Sequence, residues 1–140
     1  MIAIRSLVSV LIFGLLLSIS SAGAQSSLLD RWYTALFDVN RVAIADLLTE
    51  DAVINLEDLG VTQTKAEFIE ALDEWEEVVK DANLAWQLEE GTEADATQAS
   101  VLVCYQFPDN EMMIREVFAF RDGKIASSVQ TTAGDSCENF

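Results

Sequence analysis

The residues from 98 to 132 decide the fold, and they read QASVLVCYQF (98–107), PDN (108–110), EMMIREVFAF (111–120), RDG (121–123) and KIASSVQTT (124–132). Two clusters of turn-forming residues separate three strand-like runs, which is typical of an antiparallel meander. In the middle run, alternation places Met112, Ile114, Glu116, Phe118 and Phe120 on one face. A carboxylate, that of Glu116, therefore shares a face with apolar residues that we expect to point into the protein.

The chain before this meander predicts helices interleaved with short strands. Helix starts are predicted from capping patterns at Ser27 with Asp30, at Asn40, and at Thr64 with Glu67. We expect strands over 52–56 and 84–88 and a loop over 57–61. Helices first and a meander afterwards is the order of an α+β domain. We therefore expect a curved antiparallel sheet wrapped around the N-terminal helices, with a pocket between the two layers.

The N-terminus has the pattern of an export signal. Arg5 precedes an apolar run over 7–19, and Ala22-Gly23-Ala24 is a small-residue cleavage site. The alternative is a membrane anchor, but the run is shorter than the roughly 20 residues that span a bilayer. The sequence thus predicts a signal peptide over 1–24, a single domain over 25–140, and a periplasmic or secreted protein.

Charge and cysteine content narrow the function classes further. The net charge of −16 makes nucleic acid and anionic membranes poor partners, while a cationic partner stays open. Cys104 and Cys137 are the only cysteines, and in an oxidising compartment such a pair predicts a disulfide. The alternative, a catalytic thiol, lacks a histidine partner because the chain has none. No metal site and no cofactor are predicted.

The chain resembles the SnoaL-like branch of the nuclear transport factor 2-like superfamily. The resemblance rests on WYTALFDVNRVAIADLLTEDAVINLEDLG (32–60), TKAEFIEALDEW (64–75) and VFAFRDGKIASSVQ (117–130). It implies a cone, formed by a bent sheet around helices, with a largely apolar pocket and frequent dimerisation through the sheet. Members of this superfamily include isomerases, cyclases, dehydratases and binding domains, so the resemblance predicts fold more than activity.

The ketosteroid isomerase pattern within this resemblance gives a check on single residues. It places Glu116 where that enzyme has the acid that donates a hydrogen bond to the oxyanion. It also places Trp32 at the position of the oxyanion-hole tyrosine, and Asn55 or Leu56 at the position of the aspartate base. On this alignment two of the roles are unfilled, and Glu57 or Asp58 is a candidate for a displaced base.

Glu116 is the candidate catalytic residue, because burial in an apolar pocket would raise its pKa toward neutrality. The alternative is a carboxylate satisfied by nearby donors. The candidate ligand-binding residues could equally be core, and they are Trp32, Trp75, Tyr105, Met112, Phe118 and Gln130. Three hypotheses follow: a domain that binds a small apolar molecule or serves as an accessory module, an acid/base enzyme of the isomerase or dehydratase type, and a protein-interaction module. The last would use the other sheet face, which includes Met113 and Val117.

Overall fold

The computed structural model describes residues 21–91, 94–138 and 140. Its elements are the helices α1 (Ser21–Phe37) and α2 (Arg41–Leu47), the strand β1 (Leu48–Leu56), a 3-10 helix (Glu57–Leu59), β2 (Val61–Thr64), α3 (Lys65–Val79), β3 (Asn83–Leu88), β4 (Gln98–Gln106), β5 (Glu111–Arg121) and β6 (Lys124–Gly134). Residues 1–20 of the predicted signal peptide lie outside the described residues. No described helix is both long and apolar enough to cross a membrane.

The six strands form one sheet in the order β2-β1-β6-β5-β4-β3, and the expected α+β fold is confirmed. Neighbouring strands are antiparallel except for β1 and β6, whose parallel pairing was not predicted. A parallel pair requires a crossover connection, which α3 and the strands β3 to β5 supply here. Bulges in the pairing of β6 with β1 and with β5 bend the sheet around the helices.

Side-chain parity along β5 follows the sequence prediction. Glu116 and Phe118 are 1% and 0% exposed, whereas Val117 between them is 40% exposed and Arg115 is also exposed. The inner face of the sheet packs against apolar residues of the three helices. The buried core consists of Leu28, Leu29, Trp32, Tyr33, Ala35, Leu36, Ile44, Leu47, Leu48, Ala52, Ile54, Phe68, Leu72, Ala99, Val101, Val103, Tyr105, Phe118, Phe120 and Ile125.

Two of the three predicted helix starts are confirmed. The side chain of Asn40 accepts a hydrogen bond from the backbone N–H of Ala43 at the start of α2. Thr64 and Glu67 form a reciprocal capping box at the start of α3. The predicted start at Ser27 is wrong, since α1 begins at Ser21 and Ser27 lies inside it. Helical residues before Ser27 leave no free helix end there for a side chain to cap.

The predicted loop over 57–61 is also wrong in part, because it contains the 3-10 helix and the first residue of β2. β2 is a four-residue edge strand with three consecutive polar residues, so it carries no alternating apolar pattern. It forms because it pairs with β1 along the sheet edge. β1 is also longer than the strand predicted over 52–56, because it begins at Leu48, directly after α2.

The C-terminal tail is attached to β4. The sulfur atoms of Cys104 and Cys137 lie at disulfide-bonding distance, with their Cα atoms 5.8 Å apart. The backbone N–H of Cys137 also donates to the carboxylate of Glu111 on β5, at 2.9 Å. The tail therefore lies against the β4–β5 end of the sheet, held by one covalent and one polar contact.

Candidate functional site

Glu116 lies at the centre of a buried polar cluster. On β5 it is opposite Val101 of β4 and Gln130 of β6. Its Oε2 accepts a hydrogen bond from the Tyr33 hydroxyl at 2.7 Å. Its Oε1 accepts from the Ser128 hydroxyl and, at 3.1 Å, from Nε2 of Gln130. We refer to Tyr33, Glu116, Ser128 and Gln130 as the Glu116 cluster. Three donors from α1 and β6 thus replace the water that the carboxylate loses on burial.

Burial and hydrogen bonding act on this carboxylate in opposite directions. Burial raises the pKa of Glu116, and the hydrogen bonds from Ser128, Tyr33 and Gln130 partly offset that rise because they favour the charged form. Burial, together with the charge of Glu116, raises the pKa of Tyr33 well above its usual value. Both influences also raise the pKa of Tyr105. The two tyrosines therefore stay protonated at neutral pH, and Tyr33 keeps the proton that it donates to Glu116.

A hollow opens between α3 and the inner face of the sheet. It consists of two adjoining cavities of about 380 and 290 Å³. The two cavities share Leu56, Trp75, Tyr105 and Gln130 as lining residues. The first is completed by Asp58, Leu59, Phe107, Met112, Ile114, Thr131 and Thr132, and the second by Leu36, Gln63, Phe68, Ala71, Leu72 and Glu74. The lining is predominantly apolar, with polar groups concentrated on β6 and at the rim.

Contacts within the lining fix its aromatic rings. The indole N–H of Trp75 donates to the backbone carbonyl of Leu36 at 2.8 Å. The Trp75 ring meets Tyr105 edge-on at a centroid distance of 5.7 Å, and Tyr105 stacks on Phe107 at 6.0 Å. Such offset and edge-on pairs contribute stability beyond their buried area. These contacts within the protein therefore hold the aromatic residues of the hollow in place.

The structure separates the predicted ligand-binding residues into two groups. Trp75, Tyr105, Met112 and Gln130 line the hollow. Trp32 and Phe118 are 0% exposed and lie in the core, where Trp32 stacks on Phe68 at 5.7 Å and meets Phe118 edge-on at 6.3 Å. Trp32 and Phe118 are therefore residues of the core, which was the alternative interpretation of the aromatic candidates.

Glu116 itself has almost no surface toward the hollow. It lies behind Gln130, the one member of the Glu116 cluster that also lines both cavities. Strand parity correctly turns Glu116 inward, but it does not say which inward residue of β5 reaches the hollow. Met112 and Ile114, nearer the start of the same strand, line it, whereas Glu116 and Phe118 lie under the helices. Only the placement of α1 and α3 over the sheet decides this.

The structure also changes the residue-level comparison with the ketosteroid isomerase pattern. The aromatic residue that contacts Glu116 is Tyr33, the neighbour of Trp32. Of the two positions aligned with the base, Leu56 lines the hollow and carries no ionisable group. Asp58 is an exposed residue of the rim whose carboxylate accepts a hydrogen bond from the backbone N–H of Thr132. That bond lowers the pKa of Asp58 and makes it a weaker base.

A more open groove of about 580 Å³ lies away from the hollow, between α1 and α2. It is lined by Asp30, Arg31, Thr34, Ala35, Asp38, Asn40, Ala43, Asp46 and Leu47. It shares no residue with the Glu116 cluster. Within the described part of the chain, no three His, Cys, Asp or Glu side chains are grouped so that they could hold a metal ion.

Comparison by sequence finds no matching protein-family profile and no matching curated protein. Comparison by structure places the chain among α+β cones of the nuclear transport factor 2-like fold. An NTF-2 like protein of unknown function from Burkholderia xenovorans LB400 has a TM-score of 0.68 at 14% identity, over 84% of this chain and 88% of that one. A protein from Kribbella flavida DSM 17836, proposed to be a ketosteroid isomerase, has a TM-score of 0.66 at 14% identity, over 85% and 84%.

An LEH-like epoxide hydrolase from M. tuberculosis is also similar, with a TM-score of 0.59 at 10% identity, over 79% of this chain and 84% of that one. At such low identities the likeness shows the fold and not the activity. The nuclear transport factor 2-like fold implied by the sequence is thereby confirmed, and membership of the SnoaL-like branch stays a prediction.

Proposed function

We propose that this protein binds a small apolar molecule in the hollow between α3 and the sheet. The observation that carries the proposal is the composition of the hollow: a predominantly apolar lining with few polar groups, among them the amides of Gln63 and Gln130. Ligand sites in proteins commonly combine an apolar enclosure with a few fixed polar groups in this way. Burial of an apolar ligand there would contribute roughly 25 cal/mol for each Å² removed from water.

The charges around the hollow favour a neutral or cationic ligand. Asp58 and Glu74 are among its lining residues, and no Lys or Arg is among the described residues that line it. The net charge of −16 reinforces this preference over longer distances. An anionic molecule would therefore meet an unfavourable potential both on approach and at the rim.

Catalysis by Glu116 is the weaker alternative. An acid/base group must reach the proton that it transfers, directly or through one water. The carboxylate of Glu116 is 1% exposed and already accepts hydrogen bonds from three protein donors. Among the ionisable residues that line the hollow, Asp58 has a lowered pKa and Tyr105 a raised one, so both pKa values are shifted away from neutrality. Binding without chemistry is therefore the function that this geometry supports best.

The test uses the neutral fluorescent probe N-phenyl-1-naphthylamine and two matched tryptophan substitutions on β5. Ile114→Trp places a larger side chain inside the hollow, and Val117→Trp places the same side chain on the outer face. We expect wild type and Val117→Trp to bind the probe alike, and Ile114→Trp to bind it about tenfold more weakly. Circular dichroism confirms that each variant is folded.

The proposal fails if the wild-type protein does not bind the probe, or if Ile114→Trp binds it as tightly as Val117→Trp does. The same pair of variants examines the outer face of the sheet. We propose that any homodimer uses this face, where Val53 and Val117 are 41% and 40% exposed. In that case Val117→Trp alters the oligomeric state in size-exclusion chromatography and Ile114→Trp does not.

We further propose that the protein works in the periplasm or outside the cell. The pairing of Cys104 with Cys137 supports this, since structural disulfides persist in oxidising compartments. The export signal predicted over residues 1–24 points to the same destination.

A further inference from the structure

Gln130 is the one residue that belongs both to the Glu116 cluster and to the hollow. Its Nε2 donates to Oε1 of Glu116 at 3.1 Å, and its side chain lines both cavities. A carboxamide has a donor end and an acceptor end, so the partner of one end determines what the other end offers.

The chemistry of Glu116 fixes which end is which. Both oxygens of the Glu116 carboxyl group act as acceptors here, Oε2 from Tyr33 and Oε1 from Ser128 and Gln130. Rotating the Gln130 amide by half a turn would place its Oε1 against Oε1 of Glu116, so that two acceptors would face each other in a buried site. The amide therefore keeps Nε2 toward Glu116. Tyr33 and Ser128 occupy the remaining contacts of the carboxylate and reinforce its role as an acceptor.

The carbonyl oxygen of Gln130 is consequently the atom left for the hollow. Among the described residues, no donor makes a hydrogen bond to it. An apolar ligand that covered this oxygen without a donor would leave a buried acceptor unsatisfied, which weakens its binding. A ligand with a hydroxyl or N–H at this point avoids that loss of affinity.

We propose that Gln130 selects ligands that carry a hydrogen-bond donor, and that Glu116 acts as a positioning residue by fixing the orientation of the Gln130 amide. This inference rests on the proposed binding function and adds the chemical class of the ligand: an apolar molecule with a hydroxyl or N–H group. Either group suits the site because it can donate to the Gln130 carbonyl, which lines both cavities.

The experiment compares 2-naphthol, 2-methoxynaphthalene and naphthalene as competitors of N-phenyl-1-naphthylamine at pH 7.5. 2-Naphthol and its methyl ether share one skeleton, but only the naphthol can donate a hydrogen bond. We expect the wild-type, disulfide-bonded protein to bind 2-naphthol about fivefold to tenfold more tightly than the ether. A preference for 2-naphthol is informative because burial of apolar surface alone would favour the ether, which is the more apolar of the two molecules.

Two variants separate the roles of the residues. In Gln130→Met, which keeps the length of the side chain but removes the carbonyl, the preference for 2-naphthol should disappear while the ether still binds. In Glu116→Gln, the partner of Gln130 can both donate and accept, so the amide is free to reverse and the preference should shrink. A purely structural role of Glu116 would weaken all three competitors together and leave their ratio unchanged.

Equal binding of 2-naphthol and its ether by the wild type would overturn the inference and leave the proposed function standing. The same holds if Gln130→Met keeps the wild-type preference. If none of the three competitors displaces a bound probe, the inference fails and the proposed function stands; if the probe itself does not bind, both fail. If Gln130→Met does not fold, Glu116→Gln still decides, because an unchanged ratio there overturns the positioning role.

Discussion

Replacing Tyr33 by phenylalanine removes a single hydroxyl from the Glu116 cluster. That hydroxyl donates to Oε2 of Glu116 at 2.7 Å, and the two residues are 2% and 1% exposed. A hydrogen bond to a charged group contributes about 1.5–3 kcal/mol to stability. We therefore expect Tyr33→Phe to lower the free energy of unfolding by about 2 kcal/mol at neutral pH, or the melting temperature by about 8 °C.

The cost of Tyr33→Phe should depend on pH, because Glu116 titrates. Burial raises the pKa of Glu116 above its ordinary value of 4.5. A group whose pKa is raised by folding adds to the free energy of unfolding while it is protonated in both states, which for Glu116 means below pH 4.5. That contribution is lost as the pH rises through the pKa of the folded state. Removing a donor to the charged form raises that pKa further. The variant thus loses more stability than wild type with rising pH. In acid, where Glu116 is neutral, the cost falls to about 1 kcal/mol.

Urea titrations followed by tryptophan fluorescence, from pH 4 to pH 8, measure this difference. Tyr105→Phe is the matched control: Tyr105 is 7% exposed, and its hydroxyl makes no hydrogen bond to a described residue. We expect the control to change stability by less than about 0.5 kcal/mol across the range. Equal costs for the two variants, or a cost of Tyr33→Phe that stays constant with pH, would show that Tyr33 does not stabilise an ionised Glu116.

Two further predictions concern the covalent chain. Replacing Cys104 and Cys137 together by serine opens a loop whose ends are 33 residues apart, which should lower the free energy of unfolding by about 4 kcal/mol in urea titrations. A loss under about 1 kcal/mol would mean that the tail contributes little to the fold. The protein isolated from its own cells should have the intact mass of a chain that begins at Gln25 and contains the disulfide. A mass that retains residues 1–24 would contradict the predicted export signal.

The elements with local sequence signatures were predictable. Thr64 and Glu67 cap α3 through bonds between residues three apart, so the pattern alone is sufficient. The Asp122-Gly123 turn, where both residues have positive φ angles, sets the β5–β6 hairpin in a similar way. By contrast, the parallel pairing of β1 with β6 depends on where the chain returns after more than sixty residues. No local pattern encodes that return.

The donors to Glu116 were harder to foresee. Trp32 and Tyr33 both belong to the apolar stripe of α1 and are both buried, yet only Tyr33 reaches the carboxylate. The choice depends on how α1 is rotated on the sheet, which is a property of packing. Ser128 was equally hard to predict. Continuing the register of the β5–β6 turn, where Arg121 pairs with Lys124, would place residue 127 opposite Phe118. A bulge between Ala119 and Phe120 shifts the pairing by one residue and brings Ser128 opposite Phe118 instead.

The three donors of the Glu116 cluster differ in how far a ligand could replace them. Tyr33 and Ser128 are 2% and 0% exposed and lie within the packed interior, so displacing either would open the core. Gln130 is half-buried and lines the hollow, so it is the donor that a ligand can meet. A ligand that paired with the Gln130 carbonyl would leave Glu116 sealed and would be bound without reaction. A ligand that displaced the Gln130 amide would instead touch the carboxylate directly and bring acid/base chemistry within reach. The Gln130→Met and Glu116→Gln variants therefore test whether a ligand pairs with the Gln130 carbonyl, which is the arrangement that leaves Glu116 sealed.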